Sequence, residues 1–103
     1  MAVRNLYQFV DMLHLYNITR YGKIVLTCKC LDDDWRLFEV EEAWNEVEIG
    51  NTLHKYQLIF EDDKFCLTNM RDSITKGKRY KFIIEPLADK RRFKFYRYTM
   101  ELI

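Results

Sequence analysis

Short runs in which apolar and polar side chains alternate with period two recur along this chain, and each run stops at a turn signal. Alternation of that kind places successive side chains on opposite faces of a strand and commits the chain to a half-buried sheet. From Lys23 to Leu31, Ile24, Leu26, Cys28 and Cys30 alternate with Val25, Thr27 and Lys29, directly after the Tyr21-Gly22 turn signal. Asp32-Asp33-Asp34 breaks the run, and Trp35 to Val40 resumes it with Arg36, Phe38 and Val40 on one face. Leu53 to Phe60 alternates with Tyr56, Leu58 and Phe60 inward, Glu61 to Lys64 has the composition of a hairpin loop, and Phe65 and Leu67 begin a return strand. The acidic stretch Glu41 to Asn51 fits either a short helix or an excursion between strands, because its periodicity selects neither.

The last thirty residues carry two more runs. Arg79 to Ile84 puts Tyr80, Phe82 and Ile84 on one face and Arg79, Lys81 and Ile83 on the other. In Arg92 to Ile103, Phe93 and Phe95 share one register while Tyr96, Tyr98, Met100 and Leu102 share the other, a shift that a β-bulge produces. Between them, Glu85 to Arg92 holds the chain's only proline and a Lys90-Arg91-Arg92 triplet, which reads as a solvated loop. Five or six short strands, none alternating with a long helix, argue against a parallel α/β sheet and predict a small barrel or sandwich, with an α+β roll as the alternative.

One segment has a different period. Val3, Leu6, Tyr7, Val10 and Leu13 recur at helical spacing and Asn17 is an acceptable stop, so a helix over residues 3–16 is expected. Phe9, Met12, Leu15 and Tyr16 form a second apolar stripe on it. A helix apolar on most sides either plugs a core or shares a face with a partner. The partner-facing alternative assigns the contact to Leu6, Phe9, Val10 and Leu13.

With 103 residues, 49% of them hydrophobic, the chain suffices for one domain with its own core, spanning 1–103 with the helix at 3–16 and the barrel at 22–103. No run of 18 apolar residues and no signal-peptide pattern occurs, so an intracellular protein, nuclear or cytoplasmic and without a membrane segment, is expected. Three cysteines, an odd number, make a poor disulfide framework and agree with a reducing compartment. The net charge of +1 conceals an uneven distribution. Residues 32–72 carry twelve acidic and four basic side chains, whereas residues 73–103 carry nine basic and three acidic ones.

No arrangement selects a catalytic group. Cys28, Cys30, Cys66, His14 and His54 are of zinc-ligand type, but alternate strand positions do not match the usual knuckle spacing, and three buried thiols are the expectation. Asp32-Asp33-Asp34 and Glu61-Asp62-Asp63 lack the alternating ligands and turn glycine of a calcium loop. Ser73, the only serine, has no nucleophile signature around it, and no glycine-rich phosphate loop exists. No enzyme, no metal and no cofactor are therefore expected.

The interleaved cations and aromatics from Lys76 to Tyr98 do have a mechanism. Single-stranded nucleic acid needs cations along its phosphates and flat side chains under its bases, worth about 1–3 kcal/mol per stacked base. The segment Gly77-Lys-Arg-Tyr80-Lys-Phe82, a spacer, Arg92-Phe93-Lys-Phe95 and Tyr98-Thr-Met-Glu101-Leu-Ile103 resembles the closing part of replication protein A-type OB domains. The resemblance implies a five-stranded Greek-key barrel with an added N-terminal helix, mainly β, acting by binding single-stranded DNA in a replication, repair or telomere complex. It implies base stacking on Phe65 and Phe93, phosphate contacts from Lys90, Arg91 and Arg92, and additional cations at Arg79 and Lys81. Many domains of that family instead assemble subunits, which fits a protein partner on the helix. A third expectation, a small viral or mobile-element inhibitor, comes from the acidic middle, which would imitate nucleic acid.

Overall fold

The computed structural model describes residues 2–86 and 96–103. A helix, α1 (Leu6–Tyr16), precedes six strands: β1 (Lys23–Asp32), β2 (Leu37–Ile49), β3 (Thr52–Gln57), β4 (Lys64–Cys66), β5 (Arg79–Pro86) and β6 (Tyr96–Leu102). All six belong to one antiparallel sheet of order β3-β2-β1-β5-β6, with β4 pairing the first half of β2. The protein is therefore mainly β, as the alternation requires. The expected closure into a barrel does not occur: among the described residues no ladder joins β3 to β6. The Tyr98 ring of β6 packs instead on the helix, edge-on to Tyr7 of α1 at 6.4 Å.

The helix begins three residues later than its period predicts because Asn5 caps it. The Asn5 side chain accepts the Gln8 N–H at 2.8 Å, and the Gln8 side chain accepts the Asn5 N–H at 2.9 Å, so two otherwise orphaned donors are satisfied. Asn17 ends it where expected, its N–H donating to the Leu13 carbonyl at 3.0 Å.

The undecided acidic stretch is neither helix nor excursion. It continues β2 to Ile49. Thr27 pairs with Glu42 but Cys28 pairs with Val40, so Glu41 is one residue too many on its strand. The bulge exposes both Glu41 and Glu42 and reverses the alternation: Phe38 and Val40 face inward before it, Ala43 and Asn45 after it. A period-two pattern cannot be seen through such an insertion.

One face of the sheet and the helix enclose the core. Ile24, Leu26, Cys28 and Cys30 of β1 lie beside Ile84, Phe82 and Tyr80 of β5, and Phe9, Val10 and Leu13 of α1 cover them. Burying each large aliphatic or aromatic side chain there contributes about 1.5–3 kcal/mol relative to exposure. The aromatic centre is tight: Phe65 stacks on Phe38 at 5.4 Å and meets Phe82 edge-on at 5.4 Å.

Candidate functional site

The structure redistributes the residues proposed for binding. Phe65, expected under a base, is wholly buried between Phe9, Phe38 and Phe82, with no free ring face. The pairing of Phe65 with Phe38 sets this, because it places β4 beneath the helix. Leu6, Phe9, Val10 and Leu13, expected on a partner-facing stripe, are the buried side of α1. They are core because the open sheet needs a cover. Lys90, Arg91, Arg92 and Phe93 lie outside the described residues.

Arg79 and Lys81 do lie on the outer face of the sheet, but among carboxylates. The Arg79 guanidinium bonds Glu41 through two nitrogens, at 2.8 and 3.3 Å, and that hydrogen bond raises its pKa further. Lys81 stands opposite Glu101. Elsewhere on this face Lys29 pairs with Glu39, Lys23 with Glu46, and Arg97 lies 3.7 Å from Glu85. A middle row of Trp44, Val25 and Ile83 separates the charged rows, and Val25 is buried there although it faces away from the core. Glu39, Glu41, Glu85 and Glu101 interrupt the cations at spacings within about one Debye length, so among the described residues the face offers no continuous positive track.

Several polar side chains missed by the sequence reading hold the connections. Asn45 is fully buried, accepts the Arg20 N–H at 2.7 Å and donates to the Arg20 and Lys23 carbonyls, fixing the segment between α1 and β1 against β2. Gly22 belongs to the same junction: a Cβ there would lie 2.4 Å from the Glu46 carbonyl oxygen. At the opposite end Arg36, buried and at φ 54°, donates through one nitrogen to the carbonyls of Asn69 and Asp72. Tyr98 donates its hydroxyl to Asp72 at 2.8 Å, and burial followed by that bond pushes its pKa up to about 12.

Burial, reinforced by Glu41, pushes the Cys28 thiol well above its ordinary pKa, which disfavours the nucleophilic thiolate. Among the described residues the three side chains that come within metal-binding reach of one another are Asp32, Asp33 and Asp34. The Asp32 carboxylate already accepts the N–H groups of Asp34 and Trp35, which closes the turn. No helix among the described residues is long and apolar enough to cross a membrane.

The remaining feature is apolar. The Asn17 carboxamide donates to the Ile59 carbonyl and accepts the Ile59 N–H, both at 2.8 Å, as a neighbouring strand would. This clamp ties the end of α1 to the segment after β3, and Leu15, Ile18 and Ile59 are 84%, 95% and 72% exposed on the two segments it joins. Sequence reading gave Asn17 only a helix-stopping role, since the bond to Ile59 spans 42 residues. Comparison of the chain with protein-family models, with curated proteins and with solved structures finds no match.

Proposed function

We propose that this chain is a non-catalytic OB-like module that binds a protein partner through the apolar rim at the end of α1. The observation that carries this reading is the Asn17–Ile59 clamp: it fastens the segment bearing exposed Leu15 and Ile18 to the one bearing exposed Ile59, so the two need not be brought together on binding. The partner surface that fits Leu15, Ile18 and Ile59 is an aliphatic ridge. The OB-type reading is supported by neighbour relations within the sheet, where β1 lies between β2 and β5 and β5 between β1 and β6, as in a partly open Greek-key barrel. Co-purification from the native host with the parent chain, Ile18→Asp and Trp35→Ser tests it. Loss of the partner with Ile18→Asp alone is expected; a partner set indifferent to Ile18→Asp and Leu15→Asp would overturn it.

A second reading, single-stranded nucleic-acid binding, is favoured by a different observation. Lys29 lies directly opposite Arg79, and Lys76 and Lys78 are exposed at the adjoining Gly77 turn, which the Cys30 backbone holds in place. Glu39 and Glu41 stand against Lys29 and Arg79, so Lys76 and Lys78 at the turn supply the charge that would attract a phosphate chain. Fluorescence anisotropy with labelled oligonucleotides at several salt concentrations should show binding that weakens as salt rises. Absence of binding at low salt, or affinity independent of salt, eliminates this reading.

A further inference from the structure

The sheet leaves β6 with no strand ladder on its outer side among the described residues, and its sequence is complementary to itself when reversed. The Ile103 N–H donates to the Arg79 carbonyl at 3.0 Å, so in this antiparallel ladder Arg97, Thr99 and Glu101 direct their backbone groups to β5. Tyr98, Met100 and Leu102 consequently direct theirs to the other side, where no strand is paired among the described residues. If a second β6 lies antiparallel beside the first, with the two-fold axis at Thr99, the backbone of Tyr98 meets that of Met100 in hydrogen-bonding pairs on both sides of the axis. On the outer face the same register sets Arg97 opposite Glu101 twice. On the inner face it sets Tyr98 opposite Met100, and both side chains pack against the core of their own chain.

We infer that two copies of this chain associate through β6, forming a continuous sheet across an isologous interface in which Arg97 of each copy pairs with Glu101 of the other. A two-fold interface requires a self-complementary surface, and charges of opposite sign equidistant from Thr99 satisfy that requirement. Edge strands that avoid association commonly carry lysine or proline, and β6 has neither between Tyr96 and Leu102. The in-chain charges extend the pattern, since Lys81 stands opposite Glu101 and Glu85 opposite Arg97, giving a row of alternating sign across four strands. Association would also cover part of Leu102, which is 64% exposed. The other edge, β3, has Lys55 as its only charged residue and offers no such match. This inference is independent of the apolar rim at α1.

Sedimentation velocity of the full chain over a range of concentrations tests it, together with Arg97→Glu and Glu101→Arg. Each variant alone would place like charges together twice, and its self-association should weaken by about tenfold or more. An equimolar mixture of the two variants restores both attractive pairs and should form a one-to-one heterodimer. Hydrogen exchange gives a second readout: the amides of Tyr98 and Met100 should become protected as concentration rises, while those of Thr99 and Glu101 stay protected throughout. Met100→Pro removes an edge-facing N–H without touching the ladder to β5, and should leave a folded monomer. A parent chain that stays monomeric, a dimer unaffected by either charge reversal, or variants that do not recombine would overturn the inference.

Discussion

The Asn45 carboxamide forms a two-way hydrogen bond with the backbone of Arg20, accepting its N–H at 2.7 Å and donating to its carbonyl at 3.3 Å. A fully buried amide in β2 thus does for the irregular segment before β1 what a strand would do. Removing a partner from a buried backbone donor costs its desolvation as well as the bond.

Asn45→Ala should therefore lower the unfolding free energy by about 1–3 kcal/mol. Asn45→Asp should cost more, because it keeps the acceptor but loses the donor and buries a carboxylate. Urea denaturation compares them, and hydrogen exchange at the Arg20 amide should accelerate in Asn45→Ala. Wild-type protection of that amide in the variant would refute the assigned role.

Arg36 combines an unfavourable backbone with favourable side-chain bonds. Its φ of 54° lies in the left-handed region, while its guanidinium holds the carbonyls of Asn69 and Asp72. Arg36→Ala loses the bonds and keeps the strain; Arg36→Gly loses the bonds and relieves it. The glycine variant should be the more stable of the two by about 1 kcal/mol. Equal denaturation midpoints, or the reverse order, would count against this account.

Two glycines should respond differently to alanine. At Gly22 the new Cβ would sit 2.4 Å from the backbone oxygen of Glu46, so the junction with β2 must move, at about 1–3 kcal/mol. Gly50 has φ 65° with open space around it, and its substitution costs only the left-handed penalty, about 1 kcal/mol. Thermal melts of Gly22→Ala and Gly50→Ala rank them directly.

Alkaline pH should destabilise the fold through Tyr98. Its pKa is pushed from 10.0 up to about 12 by burial and by the bond to Asp72, so the folded state holds its proton more tightly than the unfolded state does. The associated stability is complete below pH 10.0 and is lost as pH rises towards about 12. The raised Cys28 thiol adds loss of the same sign. Tyr98→Phe should flatten the fall in denaturation midpoint over that window, and an unchanged slope would exclude Tyr98 as its source.

The strands that alternate without interruption were legible from sequence: Ile24, Leu26, Cys28 and Cys30 face inward, as do Tyr80, Phe82 and Ile84. The period of a strand arises from backbone geometry within a few residues, so it survives in the linear pattern. The bulge at Glu41 hid the second half of β2, because one inserted residue exchanges the two faces.

Residue type and local period determined that this chain forms a sheet with an N-terminal helix, and which side chains share a face of the uninterrupted strands β1 and β5. Only the tertiary structure decided which of those faces would be covered. Phe65 carries the same aromatic ring whether it stacks on a base or on Phe38, and α1 is apolar enough on two sides to be either core or contact. The choice depends on β4 pairing with β2 and on the helix closing over an open sheet, contacts between residues far apart in the chain. The same distance separates Arg79 from Glu41, whose carboxylate turns a cation suited to phosphate into half of an ion pair.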